Sequence, residues 1–191
     1  MGKPSPAKSG ERKVAEGAVT QKLSPAKVGA FKATTQTAKA TYSFDTSAFI
    51  QSCRRYWPFD IAPTFWAALE KMIANRVIVS SYPVRQEIEE KDDALCAWVK
   101  AQGSLFRKVD MAVQARVTDI LTMYPNWVDV STGKNDADPF VIGLAMVENL
   151  IVVSDEIHGG PTNLKIPYVC GELKVRHLGL HDFMRQVGLR W

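Results

Sequence analysis

The chain has 191 residues, 46% of them hydrophobic and 23% charged, which suits one ordinary domain with an appendage and excludes a wholly disordered chain. Its net charge of +4 is uneven: residues 1–40 hold eight Lys/Arg and two Glu, a charge of +6, which leaves sixteen Lys/Arg and eighteen Asp/Glu, or −2, for residues 41–191. No apolar run is long enough for a spanning helix, no apolar leader marks a secretory signal, and three scattered cysteines without a Cys-x-x-Cys exclude a disulfide framework or thiolate zinc site. The expectation is a cytoplasmic protein with reduced thiols and no membrane contact.

Residues 1–40 are rich in Lys, Ala, Pro, Ser, Thr and Gly, and Ser-Pro-Ala-Lys occurs at Ser5–Lys8 and again at Ser24–Lys27. Such a segment buries too little apolar surface to offset its ordering entropy. It reads as a disordered basic leader, either inert or acting as an arm that holds nucleic acid through phosphate contacts.

From residue 41 the texture is globular. Tyr42–Phe44 reads as a strand that stops at Asp45 and continues through Thr46 and Ser47 into a short helix ending near Ile50. Cys53–Asp60 is an aromatic and basic connection. Pro63 suits a helix start, and Phe65, Trp66, Leu69, Met72 and Ile73 recur at helical spacing. Val77–Val79 is a short β-branched strand. Helices follow over Tyr82–Glu90, Asp92–Gln102 and Asp110–Tyr124. Asp138 reads as an N-cap with Pro139 at the first helical position of a helix through Glu148. Leu150–Val153 is a nearly all-apolar strand, as in a sheet covered on both faces. Lys174–Leu178 is a last strand and His181–Val187 a closing helix. Strands alternating with helices predict a three-layer α/β fold: a central parallel sheet of four to five strands with helices on both faces.

In such a sheet, ligands bind beyond the carboxyl ends of the strands. Asp45 stands at such an end, where an acid faces a crevice. Glu87, Asp136 with Asp138, and Asp155 with Glu156 stand where the same crevice could collect them. Converging carboxylates repel one another unless a cation joins them, and oxygen ligands suit Mg²⁺ or Mn²⁺. Each acid also has a bland reading. Asp138 could be a simple cap, and Glu87 lies in an acidic run with Glu89, Glu90, Asp92 and Asp93. Spacing separates Glu87 from that run, since Val84, Glu87 and Ile88 share one helical face. Arg54 and Arg55, beside Tyr56 and Trp57, could hold a phosphate and stack a base, or be a solvated pair on a packed loop. His158, His177 and His181 do not suggest a zinc site, and Cys170 reads as buried and apolar. Trp66, Trp98 and Trp127 read as core or subunit interface.

Four blocks carry a resemblance: Tyr42-Ser43-Phe44-Asp45-Thr46-Ser47-Ala48, Val84-Arg85-Gln86-Glu87-Ile88, Asp136-Ala137-Asp138-Pro139-Phe140-Val141-Ile142-Gly143-Leu144-Ala145, and Val152-Val153-Ser154-Asp155-Glu156. In order and spacing, residues 41–191 resemble the PIN-like domains, the nuclease fold of VapC-type toxins, and most nearly a bacterial family of stand-alone PIN-like proteins. The resemblance implies an endoribonuclease that cleaves single-stranded RNA with Mg²⁺ or Mn²⁺, the alternative being an inactive PIN-like module that binds nucleic acid or protein. It implies Asp45, Glu87, Asp138 and Glu156 as catalytic metal ligands, with Asp155 and Asp136 as further candidates. Glu156 departs from the usual Asp, and Asp155 is its alternative. Thr46, Ser47 and Ser154 would be the supporting hydroxyls. An antitoxin protein and a homodimer are implied as partners.

Overall fold

The computed structural model describes residues 1–2, 42–90, 93–129, 131–132 and 135–189. The expected leader therefore lies, beyond Gly2, outside the described residues. Everything described from residue 42 onward belongs to one compact unit, Thr35–Trp191.

Five strands form one parallel sheet: β1 (Tyr42–Phe44), β2 (Ile78–Ser81), β3 (Phe106–Arg107), β4 (Ile151–Ser154) and β5 (His177–Gly179). Their order is β3-β2-β1-β4-β5, and every neighbouring pair is parallel. The chain builds outward from β1 on one side, then crosses over and builds outward on the other. The order thus reverses between β1 and β4, and their carboxyl ends flank the crevice of the sheet.

Helices cover both faces, as the composition of β1 requires. All three of its residues are buried, and alternate side chains point to opposite faces. Ser43 Oγ donates to Val141 O at 3.0 Å, which fixes helix α6 (Asp138–Glu148) on one face. On the other face, the rings of Tyr42 and Phe44 meet Phe183 of helix α8 (Leu180–Val187) edge-on at 4.9 and 4.8 Å. α6 is buried over most of its surface, and Gly143 explains how. A Cβ there would stand 3.1 Å from Val117 Cγ2, so glycine lets helix α5 (Met111–Met123) lie close against α6. Asn149 closes α6 in the left-handed conformation, at φ 55°.

The other helices are α1 (Thr46–Gln51), α2 (Pro63–Ala74), α3 (Tyr82–Glu89), α4 (Ala94–Ala101) and α7 (Ile166–Glu172). A π-helical turn, Ser52–Tyr56, continues α1. Several expectations shift. β2 runs one residue later and reaches Ser81, and β5 is the shorter His177–Gly179. β3 and α7 escape the periodicity: β3 has two residues, and α7 is one short helix containing Pro167 and Gly171. Asp138 is not the cap of α6. That position is Ala137, with no side-chain hydrogen bond, and Asp138 is the first helical residue. Trp66 is core, 3% exposed, stacked on Phe59 and donating from Nε1 to Trp57 O at 2.7 Å. Trp127 is buried, and Trp98 is half-buried with Nε1 on Glu70. All three cysteines are free, Cys170 fully buried. Among the described residues, no helix is long and apolar enough to cross a membrane.

Candidate active site

Asp45 follows directly on β1. Its backbone N–H donates to Val153 O of β4 at 2.9 Å, which ties it to the reversal point. Its side chain caps α1: Oδ2 accepts from Ser47 N at 2.9 Å and from Ser47 Oγ at 2.5 Å. Only 2% of Asp45 is exposed, and the other oxygen, Oδ1, is buried without a partner. Burial, set against the Ser47 hydrogen bonds and reinforced by Glu156 and Glu87, raises its carboxyl to about 7.

The Ser47 hydroxyl is the hinge of a longer chain. It accepts from Asp155 N at 2.9 Å, just past β4. The Asp155 carboxylate in turn accepts from Tyr56 Oη at 3.0 Å. Tyr56, in the π-helical turn, meets His181 edge-on at 4.7 Å, with the Arg55 guanidinium 5.6 Å from its ring centre. An aromatic surface is thereby connected to the buried acid. Arg54 is engaged elsewhere, in a 2.7 Å ion pair with Asp93.

Glu87 lies on the face of α3 that the spacing assigned to it, between buried Val84 and Ile88. Thr46 Oγ1 donates to its Oε2, and Ala137 N donates to its Oε1 at 3.2 Å. Both oxygens are therefore engaged. Burial, opposed by those two hydrogen bonds and aided by Asp136 and Glu90, raises its carboxyl. Asp136 itself is exposed.

Asp138 is 7% exposed, and its Oδ2 is buried with no partner. As it caps nothing, the structural explanation open in the sequence is removed. Burial comes first in raising its carboxyl, followed by repulsion from Asp45, Glu156 and Glu87, with Lys165 acting in opposition. Asp138 thus feels the charges of Asp45, Glu87 and Glu156, and Asp45 those of Glu87 and Glu156.

Glu156 is held tightly. Lys165 Nζ lies 2.6 Å from its Oε1, and Ile166 N, at the start of α7, donates to Oε2 at 2.8 Å. Ser154 is fully buried, and its Oγ is hydrogen-bonded to His177 Nε2 at 2.9 Å, not to an acid. His177 and His181 share no site, since His181 packs on Tyr56 and Trp57.

Among the described residues, no three His, Cys, Asp or Glu side chains form a group ready to hold a metal ion. Glu87 and Glu156 have both oxygens on protein donors, while Asp45 Oδ1 and Asp138 Oδ2 are buried without a partner. A groove of about 460 Å³ beside α3 and α6, lined in part by Tyr82, Lys108 and Phe140, takes no side chain from the acidic set. Lys165 went unnoticed in the sequence because no periodic spacing links it to Glu156, nine residues earlier in the same irregular connection between β4 and α7. The turn-forming run Gly159-Gly160-Pro161 was the available signal.

Residues 42–191 match the family described as Domain of unknown function (DUF4411). The chain belongs to that family. The DUF4411 match begins at the first residue of β1 and includes every side chain of the crevice. No curated protein matches the chain. Twelve solved chains do, among them one from VapBC2 of Rickettsia felis bound to a DNA fragment from their promoter. That match is 11% identical with a TM-score of 0.43, over 73% of this chain and 98% of the other. At that TM-score the likeness carries no argument about chemistry.

Proposed function

We propose that the protein is a PIN-like, divalent-metal-dependent endoribonuclease acting on single-stranded RNA, of the kind found in toxin–antitoxin pairs. The observation that carries the reading is the pair of buried, unpartnered carboxylate oxygens, Asp45 Oδ1 and Asp138 Oδ2, at the reversal point of a parallel sheet. A buried acceptor without a donor is costly, and two acids that repel one another costlier still. A cation relieves both. Mg²⁺ needs only one or two carboxylates when waters and substrate phosphate complete its shell, so the donor set fits. The four-block sequence resemblance supports RNA as the substrate.

On this reading Asp45 and Asp138 hold the ion, while Glu87 and Glu156 shape the site from protein-bonded positions. When bound, Mg²⁺ or Mn²⁺ would supply Lewis-acid stabilisation of charge on a phosphodiester. Ser47, with its backbone N–H and hydroxyl both on Oδ2, fixes the carboxylate and leaves Oδ1 without a protein donor. Thr46 and Ala137 N keep Glu87 from swinging into the core. Asp155, joined to Asp45 through Ser47, is assigned to accept the proton of the attacking water, with Asp136 as its alternative. Tyr56 orients Asp155, and Arg55 beside Tyr56 offers charge to a phosphate. The cytoplasm, from the cysteine pattern, completes the proposal together with an antitoxin whose segment enters the crevice and a homodimer, both from the resemblance.

A second reading has its own observation. Glu156 is engaged by Lys165, which favours a PIN-like module that binds without turnover. RNA cleavage separates the two. Wild-type protein with Mn²⁺ should cut a single-stranded oligonucleotide, and Asp45→Asn, which keeps shape and removes charge, should lower the rate by about a hundredfold or more. Equal cleavage by both proteins, with contaminating nuclease excluded, overturns the enzyme reading. Binding without cleavage by either protein establishes the module.

A further inference from the structure

A positive charge at the crevice belongs to a side chain that no motif announces. Lys165 Nζ makes a 2.6 Å ion pair with Glu156 Oε1, and both side chains are largely covered, at 21% and 13% exposed. Its influence does not stop there. It acts on Asp138 against the surrounding acids, and Asp45 and Asp138 act on it in return.

The loop that carries Lys165 is built to seat it. Gly159 has φ +75°, a conformation that side chains other than glycine's rarely adopt. A Cβ at Gly159 would stand 2.7 Å from Lys165 Cβ and 2.9 Å from its Cγ. The lysine stem therefore lies directly on the glycine. Gly160 and Asn163 close the loop with reciprocal backbone hydrogen bonds of 3.0 and 3.1 Å. The following residue, Ile166, donates its N–H to the other oxygen of Glu156. One short segment thus delivers an ammonium and an amide to the same carboxylate.

The chemistry of the acids gives this arrangement meaning. Asp45 Oδ1 and Asp138 Oδ2 are open and buried, while Glu156 has neither oxygen free. We propose that the Lys165 ammonium is a built-in cation of the crevice: it engages Glu156 and offsets the charge of the acids, so that the crevice would bind one divalent ion and not two. The inference rests on the reading of Asp45 and Asp138 as metal ligands. Lys165 is accordingly a positioning residue, acting through Glu156 and through the field on Asp138.

The test is calorimetric titration of Mn²⁺ into the metal-free full chain, for wild type, Lys165→Met, Lys165→Arg and the double variant Lys165→Met with Glu156→Gln. Wild type should bind one ion. Lys165→Met should bind a second, or bind the first about tenfold tighter or more, because a repelling charge has gone and a carboxylate has been freed. Lys165→Arg keeps the charge and should behave as wild type. The double variant lacks the freed carboxylate and should return to one ion. A Lys165→Met protein that folds only when Mn²⁺ is supplied also supports the proposal, since the metal then replaces the ammonium. One that stays unfolded with Mn²⁺ overturns it, as does a folded variant with the stoichiometry and affinity of wild type. If neither protein binds Mn²⁺, the metal reading falls and the proposal with it. If only Lys165→Met binds, the ammonium excludes every divalent ion from the wild-type crevice, and the proposal that this crevice binds one is overturned.

Discussion

His177 is a base that the fold keeps neutral. Burial, with His158 nearby, lowers its pKa to about 4, against about 6.5 in an unfolded chain. Between those values the unfolded chain binds the proton and the native protein does not. Stability therefore falls as pH drops from about 6.5 to about 4, by an amount on the order of 3 kcal/mol, and the penalty is absent above that window. His177→Gln retains a hydrogen-bonding partner for Ser154 but has no proton to take up. Urea unfolding of metal-free protein from pH 4 to 8 should show wild type losing stability relative to this variant only below about 6.5. Parallel pH profiles would refute the assignment. Asp45 and Asp138 have raised carboxyls and act with the opposite sign, but they are common to both proteins and cancel in the difference. At this scale the sequence was informative for Asp45 and Glu87. A strand end and a shared helical face are local facts. It was silent on Lys165 and on the Ser154–His177 bond, because those partners meet only once β4, β5 and the loop before α7 are in place.

Among the elements, α8 helps to hold the sheet at the site. Phe183 is fully buried and lies edge-on against both rings of β1, the strand that Asp45 follows. Phe183→Ala should cost about 3–5 kcal/mol, the range for removing a buried phenyl ring from a packed core. The urea midpoint should fall accordingly. A loss below about 1 kcal/mol would mean that α8 is not anchored as described. His181–Val187 was expected as a closing helix, and the structure begins it one residue earlier. By contrast, α7 was missed. Its Pro167 and Gly171 weaken any helical pattern, and it stands because Ile166, Val169 and Cys170 bury against the sheet. β3 escaped for a similar reason. A two-residue strand has no period, and it exists because Ser80 and Ser81 of β2 pair with Phe106 and Arg107.

For the molecule as a whole, charge is divided between two stretches. The +6 of residues 1–40 is attached to a region of −2 that carries a buried acidic crevice. If the leader contributes to RNA binding, it does so by counterion release and not by reading sequence. Deleting residues 1–40 in the Asp45→Asn background should weaken binding of a labelled oligonucleotide, most at low salt. It should also flatten the slope of log affinity against log salt. It should leave the urea midpoint nearly unchanged, because the segment has few apolar groups to bury. Identical salt slopes with and without the leader would make it inert in binding.

The sequence by itself determined the layering. Short β-branched and aromatic runs alternating with helical periods permit a parallel sheet covered on both faces and little else, because both patterns are set by neighbours along the chain. It also set Asp45 at a strand end and Glu87 on an apolar face. Tertiary structure alone decided which carboxylates are free. Asp138 proved uncapped and open, while Glu87 was taken by Thr46 and Ala137, and Glu156 by Lys165 and Ile166. A carboxylate's availability depends on which donors the fold brings within about 3 Å; the donors to Glu87 come from distant parts of the chain, and those to Glu156 from nine and ten residues on.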